Sequence, residues 1–207
     1  GFCRIPFLFH TSQAPGGDLT GLYCALRCRI ALCCRMEKNP MDLNAFDPRP
    51  ADGVDPAAVP VHTLFTGAVI PGIGLGTFGN DRFTPEQIAE SVLGAISVGY
   101  RFVDCAAVYG NETQIGGVLA HVQKHGVCRD ELFISSKLWN DRHAPVDVRP
   151  SIEKSLRDLQ VDYLDMYFIH WPFANTHPPG ASHDSSSPLA RPYSHEAYMA
   201  THRELEK

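Results

Sequence analysis

From residue 61 onward, apolar positions recur with two periods that alternate along the chain. Ile88, Val92 and Ile96, with Ala89 and Leu93, share one face at helical spacing and predict a helix over 84–98. Thr84 caps it, Pro85 is its first residue, Gln87 completes a capping box and Gly99 is its stop signal. Ile115, Val118, Leu119 and Val122 predict a second helix over 111–125. Val148, Ile152, Leu156 and Leu159 predict a third near 147–160. Between these lie short apolar runs at 100–103, 132–136 and 163–169, each read as a buried strand. Upstream, Val61 to Phe65, a turn at Thr66 and Gly67, and Ala68 to Ile70 predict a β-hairpin that Pro71 ends. Ile73 to Thr77 predicts a short buried strand. A last helix opens at Ser194, after a Pro-, Ser- and His-rich loop over 175–193.

Strand and helix alternate four times, which predicts parallel β-α units with the helices outside the sheet. A closed (β/α)8 barrel takes ~250 residues. Residues 61–207 therefore supply only about the first four β-α units, half of such a barrel. The chain begins on Gly1 and stops at Lys207 inside the last helix, so the expectation is a fragment or an incomplete gene model.

In a parallel barrel the carboxyl ends of the strands converge on one face, where chemistry is built. Asp104 ends the run at 100–103, Lys137 follows 132–136, His170 follows 163–169, and Tyr109 lies in the loop after Asp104. Taken singly, each has a bland explanation: a loop cap, a solvated charge, a core histidine, a half-buried aromatic. Together, at successive strand ends, they predict one site. A tyrosine with its ordinary pKa of ~10 is poorly poised as an acid near neutral pH. An ammonium beside it favours the phenolate and lowers that value, and a carboxylate keeps the ammonium charged and in place. On this logic Asp104 and Lys137 tune Tyr109 as a proton donor, and a neutral His170 orients a carbonyl oxygen. No side chain carries a hydride, so the chemistry requires a nicotinamide cofactor.

Gly72, Gly74 and Gly76 do not form a dinucleotide fingerprint, because no helix opens directly on them. They read instead as places where backbone approaches a ligand at a strand end. The net charge of −5 and the absence of a basic stripe argue against nucleic acid. No run of ~18 uncharged apolar residues predicts a membrane span. The seven cysteines fit reduced thiols in a cytoplasmic protein. His177, His183, His195 and His202 lack the acidic ligand spacing of a metal site, and no metal is expected.

The segments Gly74-Leu-Gly-Thr-Phe78, Phe102-Val-Asp-Cys-Ala-Ala-Val-Tyr-Gly-Asn-Glu112, Ile134-Ser-Ser-Lys-Leu-Trp139 and Leu156-Arg-Asp-Leu-Gln-Val-Asp-Tyr-Leu-Asp-Met-Tyr-Phe-Ile-His-Trp-Pro172 resemble the aldo-keto reductase family in order and spacing. The resemblance covers roughly residues 61–207. It implies a TIM barrel, NADPH as cofactor, a small aldehyde or ketone as substrate, and a monomer. It also implies a catalytic tetrad of Asp104, Tyr109, Lys137 and His170. Gly76, Thr77, Phe78 and Asp104 match positions that face the cofactor. His170, Trp139, Trp171 and Phe78 match positions around the substrate. Phe78 stands where many members carry tryptophan, and His202 where a tryptophan commonly precedes the arginine. The family's second half, with its nicotinamide-amide ligands and its basic loop for the 2′-phosphate, has no counterpart in these residues. A second expectation follows: a catalytically inactive half-barrel, or a partner-binding relative of the family.

Residues 1–60 are expected to be an extension separate from the barrel. Gly1 to Arg35 is rich in arginine and poor in acids, which suits a targeting segment, a disordered leader or translated non-coding sequence. Its cysteines do not fall in a paired Cys-x-x-Cys pattern. Residues 38–60 carry five prolines and read as an extended linker. Met36 or Met41 is a candidate start.

Overall fold

The computed structural model describes residues 46–47, 52–79, 81–172 and 191–207. The expected leader, its five cysteines, and His177 and His183 of the long loop lie outside the described residues. A two-stranded antiparallel hairpin comes first, with β1 (Val61–Thr63) pairing β2 (Val69–Pro71). Pro71 is not the stop expected of it. It sits in register with Val61 on an edge strand, where its missing N–H costs no ladder bond. A second, four-stranded sheet follows, built from β3 (Leu75–Gly76), β4 (Phe102–Asp104), β5 (Phe133–Leu138) and β6 (Met166–Ile169). Its order is β3-β4-β5-β6 and all its pairs are parallel. Helices α1 (Pro85–Ser97), α2 (Glu112–Lys124) and α3 (Pro145–Leu159) connect the strands, and α4 (His195–Leu205) follows β6. This is the opening part of a (β/α)8 barrel.

The start of α1 is as read from its residues. Thr84 accepts from the Gln87 N–H, Gln87 accepts from the Thr84 N–H, and Pro85 takes the first helical position. Helix α3 starts two residues earlier than expected, on Pro145. Three strands are shorter than their apolar runs. Tyr100 still donates its N–H to Ala95 O at the end of α1, 3.0 Å away, so β4 begins only at Phe102. Asp165 accepts the Ile134 N–H on its carboxylate at 2.8 Å, where a strand would use a backbone carbonyl, so β6 begins at Met166. Of the run at 73–77, only Leu75 and Gly76 pair with β4.

Register sorts the two faces. Side chains alternate along a strand, and residues paired across a parallel ladder share a face. Val103 pairs Ile134 on the helix side, both fully buried with Val92, Ile96, Ile115, Leu119 and Val122. Phe102 pairs Phe133 on the opposite, inner face, their rings edge to face at 4.9 Å. By the same parity Gly76, Asp104, Ser135, Lys137 and Phe168 face inward.

The helix side also holds a polar group. Glu112 is buried, and its carboxylate accepts from Ser136 Oγ at 2.6 Å and Ser155 Oγ at 2.9 Å. These contacts tie α2, β5 and α3 together. Part of the stretch expected to be extended linker is packed: Phe46 lies edge to face on His121, and Val54 donates its N–H to Val98 O at 3.1 Å.

Candidate active site

The inner-face residues at the carboxyl ends of β3 to β6 meet at one mouth. Asp104 is the last residue of β4, and its ladder partner is Ser135. Lys137 is two residues further along β5 on the same face. Its Nζ donates to Asp104 Oδ1 at 2.7 Å and to Cys105 O at 2.8 Å. Tyr109 ends a short 3-10 turn, Ala107–Tyr109, which closes on Gly110. Gly110 has φ 68°, the left-handed conformation that glycine adopts without a side-chain penalty. This turn folds Tyr109 back over the strand end, with Lys137 Nζ 5.3 Å from its ring centroid. His170 follows β6 and donates its N–H to Leu138 O at 3.0 Å, so it continues the ladder. Its imidazole lies edge to face on Tyr109 at 5.7 Å and on Trp139 at 5.1 Å. Phe78 packs edge to face on Tyr109 at 5.2 Å, and Trp171 stacks on His170 at 6.4 Å. Trp139 is buried, whereas Phe78 and Trp171 are 51% and 45% exposed and form the outer rim.

Asp104, Tyr109, Lys137 and His170 therefore stand together, walled by Phe78, Trp139 and Trp171. Gly76 and Thr77 border them. Thr77 is buried and donates both its N–H, at 3.1 Å, and its Oγ1, at 3.0 Å, to Asp104 O. Gly76 faces the interior, and a Cβ there would meet no atom within 4 Å.

One expectation is overturned. Tyr109 was expected to titrate below an ordinary phenol because of Lys137. Its pKa is instead pushed up to about 12, by burial first and then by the negative charge of Asp104. The reason is geometric. The Lys137 ammonium is committed to the Asp104 carboxylate and the Cys105 carbonyl, and it faces the Tyr109 ring. In this arrangement Tyr109 keeps its proton through neutral pH.

Two residues of the site were not singled out in the sequence. Ser135 is fully buried and donates Oγ to Asp104 Oδ1 at 2.6 Å. Strand parity with Lys137 was the available signal. Asn111 directly precedes α2 but makes no side-chain cap; it donates Nδ2 to Thr77 O at 2.9 Å. This bond ties the loop after β3 to the loop after β4. It crosses 34 residues of sequence, so no local pattern announces it. Among the described residues, no group of three or more His, Cys, Asp or Glu could hold a metal ion. No described helix is long and apolar enough to cross a membrane.

Fold and site together define a parallel barrel segment with ionisable side chains gathered at its strand ends. The chain belongs to the aldo/keto reductase family, whose family model matches residues 72–207. It is similar to aldo-keto reductase family 1 member A1 of Xenopus tropicalis, 49% identical over 119 residues, 56% of this chain and 36% of that protein. The Bos taurus protein of the same name is 52% identical over 113 residues, 54% of this chain and 34% of its own. The chain thus matches about a third of the length of these relatives. Among solved structures, a Bombyx mori aldo-keto reductase in complex with NADP superposes with a TM-score of 0.61 and 35% identity, over 74% of this chain and 47% of that one. The aldose reductase of Schistosoma japonicum superposes with a TM-score of 0.63 and 37% identity, over 71% of this chain and 48% of its own.

Proposed function

We propose that the protein carrying this chain reduces aldehydes or ketones to alcohols with NADPH. The observation that carries this reading is the 2.7 Å pair of Lys137 and Asp104, set against the rings of Tyr109 and His170 at one barrel mouth. In this reading Tyr109 is the proton donor. It holds its proton at neutral pH and releases it to the carbonyl oxygen as negative charge develops there. Asp104 keeps Lys137 charged and fixed beside the Tyr109 ring. His170 hydrogen-bonds and orients the carbonyl oxygen, while Phe78, Trp139 and Trp171 form an apolar pocket for the rest of a small carbonyl compound.

The cofactor supplies the hydride when bound, which none of these side chains can. Gly76, Thr77, Phe78 and Asp104 are the residues of this chain that would hold it, and the open space beside Gly76 leaves room. The Bombyx mori neighbour in complex with NADP supports the choice of cofactor. The reading also takes the protein to be a cytoplasmic monomer, in keeping with the free thiols of Cys105 and Cys128.

The test is Tyr109→Phe, assayed with NADPH and a nitrobenzaldehyde. The expected loss is roughly 10²- to 10⁴-fold in kcat, the usual worth of a positioned acid. Full turnover in the variant would show that the proton comes from elsewhere.

The commitment of Lys137 Nζ to Asp104 and the Cys105 carbonyl favours a second reading, a catalytically inactive partial barrel or a partner-binding relative. Titrating the chain with NADPH while following the fluorescence of Trp139 and Trp171 separates the two. Tight quenching rules the second reading out.

A further inference from the structure

We infer that Ser135 is a positioning residue for the proposed reaction, its hydroxyl fixing the Asp104 carboxylate in the orientation that grips Lys137. The consequence for turnover rests on the reductase reading; the contact itself does not.

Asp104 Oδ1 accepts two donors at once, Ser135 Oγ at 2.6 Å and Lys137 Nζ at 2.7 Å. The two differ in stiffness. Lysine reaches its partner on a flexible four-carbon stem, so it follows a carboxylate rather than fixing one. The terminal torsion of aspartate is broad and roughly two-fold. It needs a second, rigid donor to select one orientation. Ser135 meets that need. It is fully buried, its hydroxyl hangs on a single rotor, and it is the direct ladder partner of Asp104. A hydrogen bond to an ionised acceptor is also stronger than one between neutral groups.

Strand geometry makes the assignment specific to this serine. Ser135 and Lys137 share the inner face of β5, so both reach one oxygen. Ser136 points the other way and donates to Glu112 Oε1 at 2.6 Å. Two consecutive serines thus serve two separate carboxylates on opposite faces of one strand. The Ser135 neighbour on the inner face is Phe133, so an apolar residue would suit this surface on packing grounds alone.

The experiment compares Ser135→Thr with Ser135→Val in the 207-residue chain, since the two side chains match in volume and differ in the hydroxyl. Acetylation of Lys137 by acetic anhydride is followed by peptide mass spectrometry, with exposed Lys124 as the internal standard. Lys137 is expected to react severalfold faster in Ser135→Val than in Ser135→Thr, with Ser135→Ala behaving like Val. The buried Cys105 thiol should stay unreactive towards iodoacetamide in all three, which reports an intact core. Equal Lys137 rates in the Thr and Val variants overturn the proposal. Cys105 labelling that rises in step with Lys137 acetylation also overturns it, because the effect is then general loosening. With NADPH and a nitrobenzaldehyde, kcat should fall on the order of tenfold from Thr to Val at unchanged KM. A parent chain with no turnover counts against the reductase reading alone, and the acetylation contrast still decides the role of Ser135.

Discussion

Helices α2 and α3 touch closely enough that one added methyl group should part them. Gly116 lies in α2, facing the end of α3. An alanine Cβ at that position would sit 2.0 Å from Asp158 O, 2.8 Å from Leu159 C and 2.9 Å from Leu159 Cα. Ordinary contact begins at 3.4 Å, so the helices must separate by about 1.4 Å (3.4 − 2.0) to admit it. The obstacle is backbone, which cannot swing aside as a side chain can. Separation would open the layer of Ile115, Leu119 and Leu159, all fully buried. Overpacking of this kind costs about 1–3 kcal/mol, more where rigid backbone is the obstacle. The gain in helix propensity from glycine to alanine is at most about 1 kcal/mol. The net expectation for Gly116→Ala is a loss of roughly 2 kcal/mol, read as a lower urea midpoint and a Tm lowered by about 4–8 °C at this chain length. Gly117→Ala is the internal control. It occupies the same helix, is exposed, and its Cβ would meet nothing within 4 Å. It should gain roughly 0.5–1 kcal/mol. If Gly116→Ala proved as stable as Gly117→Ala, the described α2–α3 contact would be wrong.

Glu112 is expected to make stability depend on pH. Burial raises its pKa above the ordinary value, against the opposing pull of Ser136 and Ser155. The folded state then keeps a proton that the unfolded state has released. Stability is therefore fully present below ~4.3 and falls as pH rises through the folded-state pKa. His143 acts in the opposite sense. Burial lowers it to about 4, so its share is lost as pH falls from ~6.5 towards that value. Urea midpoints for the parent and Glu112→Gln across this range share the His143 slope. Their difference should decline with rising pH, and parallel curves would show that Glu112 titrates normally. Gln160 ends α3 at φ 54°, so Gln160→Gly should stabilise the fold by roughly 0.5–1 kcal/mol, read as a higher urea midpoint. A drop would mean that the glutamine side chain contributes more than its backbone strain costs.

Residues 84–170 disclose their elements because each signal is local. The Thr84–Gln87 capping box, the apolar faces of α1 and α2, and the strand-end positions of Asp104, Lys137 and His170 depend only on neighbours a few residues away. Repetition of these local patterns is enough to imply parallel β-α units and to nominate one site. Long-range contacts settled the rest. Whether Lys137 would face a phenol oxygen or a carboxylate was decided by the register of β4 against β5, which also brought Ser135 onto Asp104. The short β4 and β6 reflect backbone and side-chain bonds to Ala95 and from Ile134 that no apolar run encodes. The upward shift of Tyr109 arises from burial among residues far apart in sequence, and burial is a property of the packed molecule. Asn111 and Glu112 read as the polar start of a helix, yet both are buried and bridge separate elements. Periodicity reports which side of an element is apolar, whereas only packing determines which polar groups are taken out of water together.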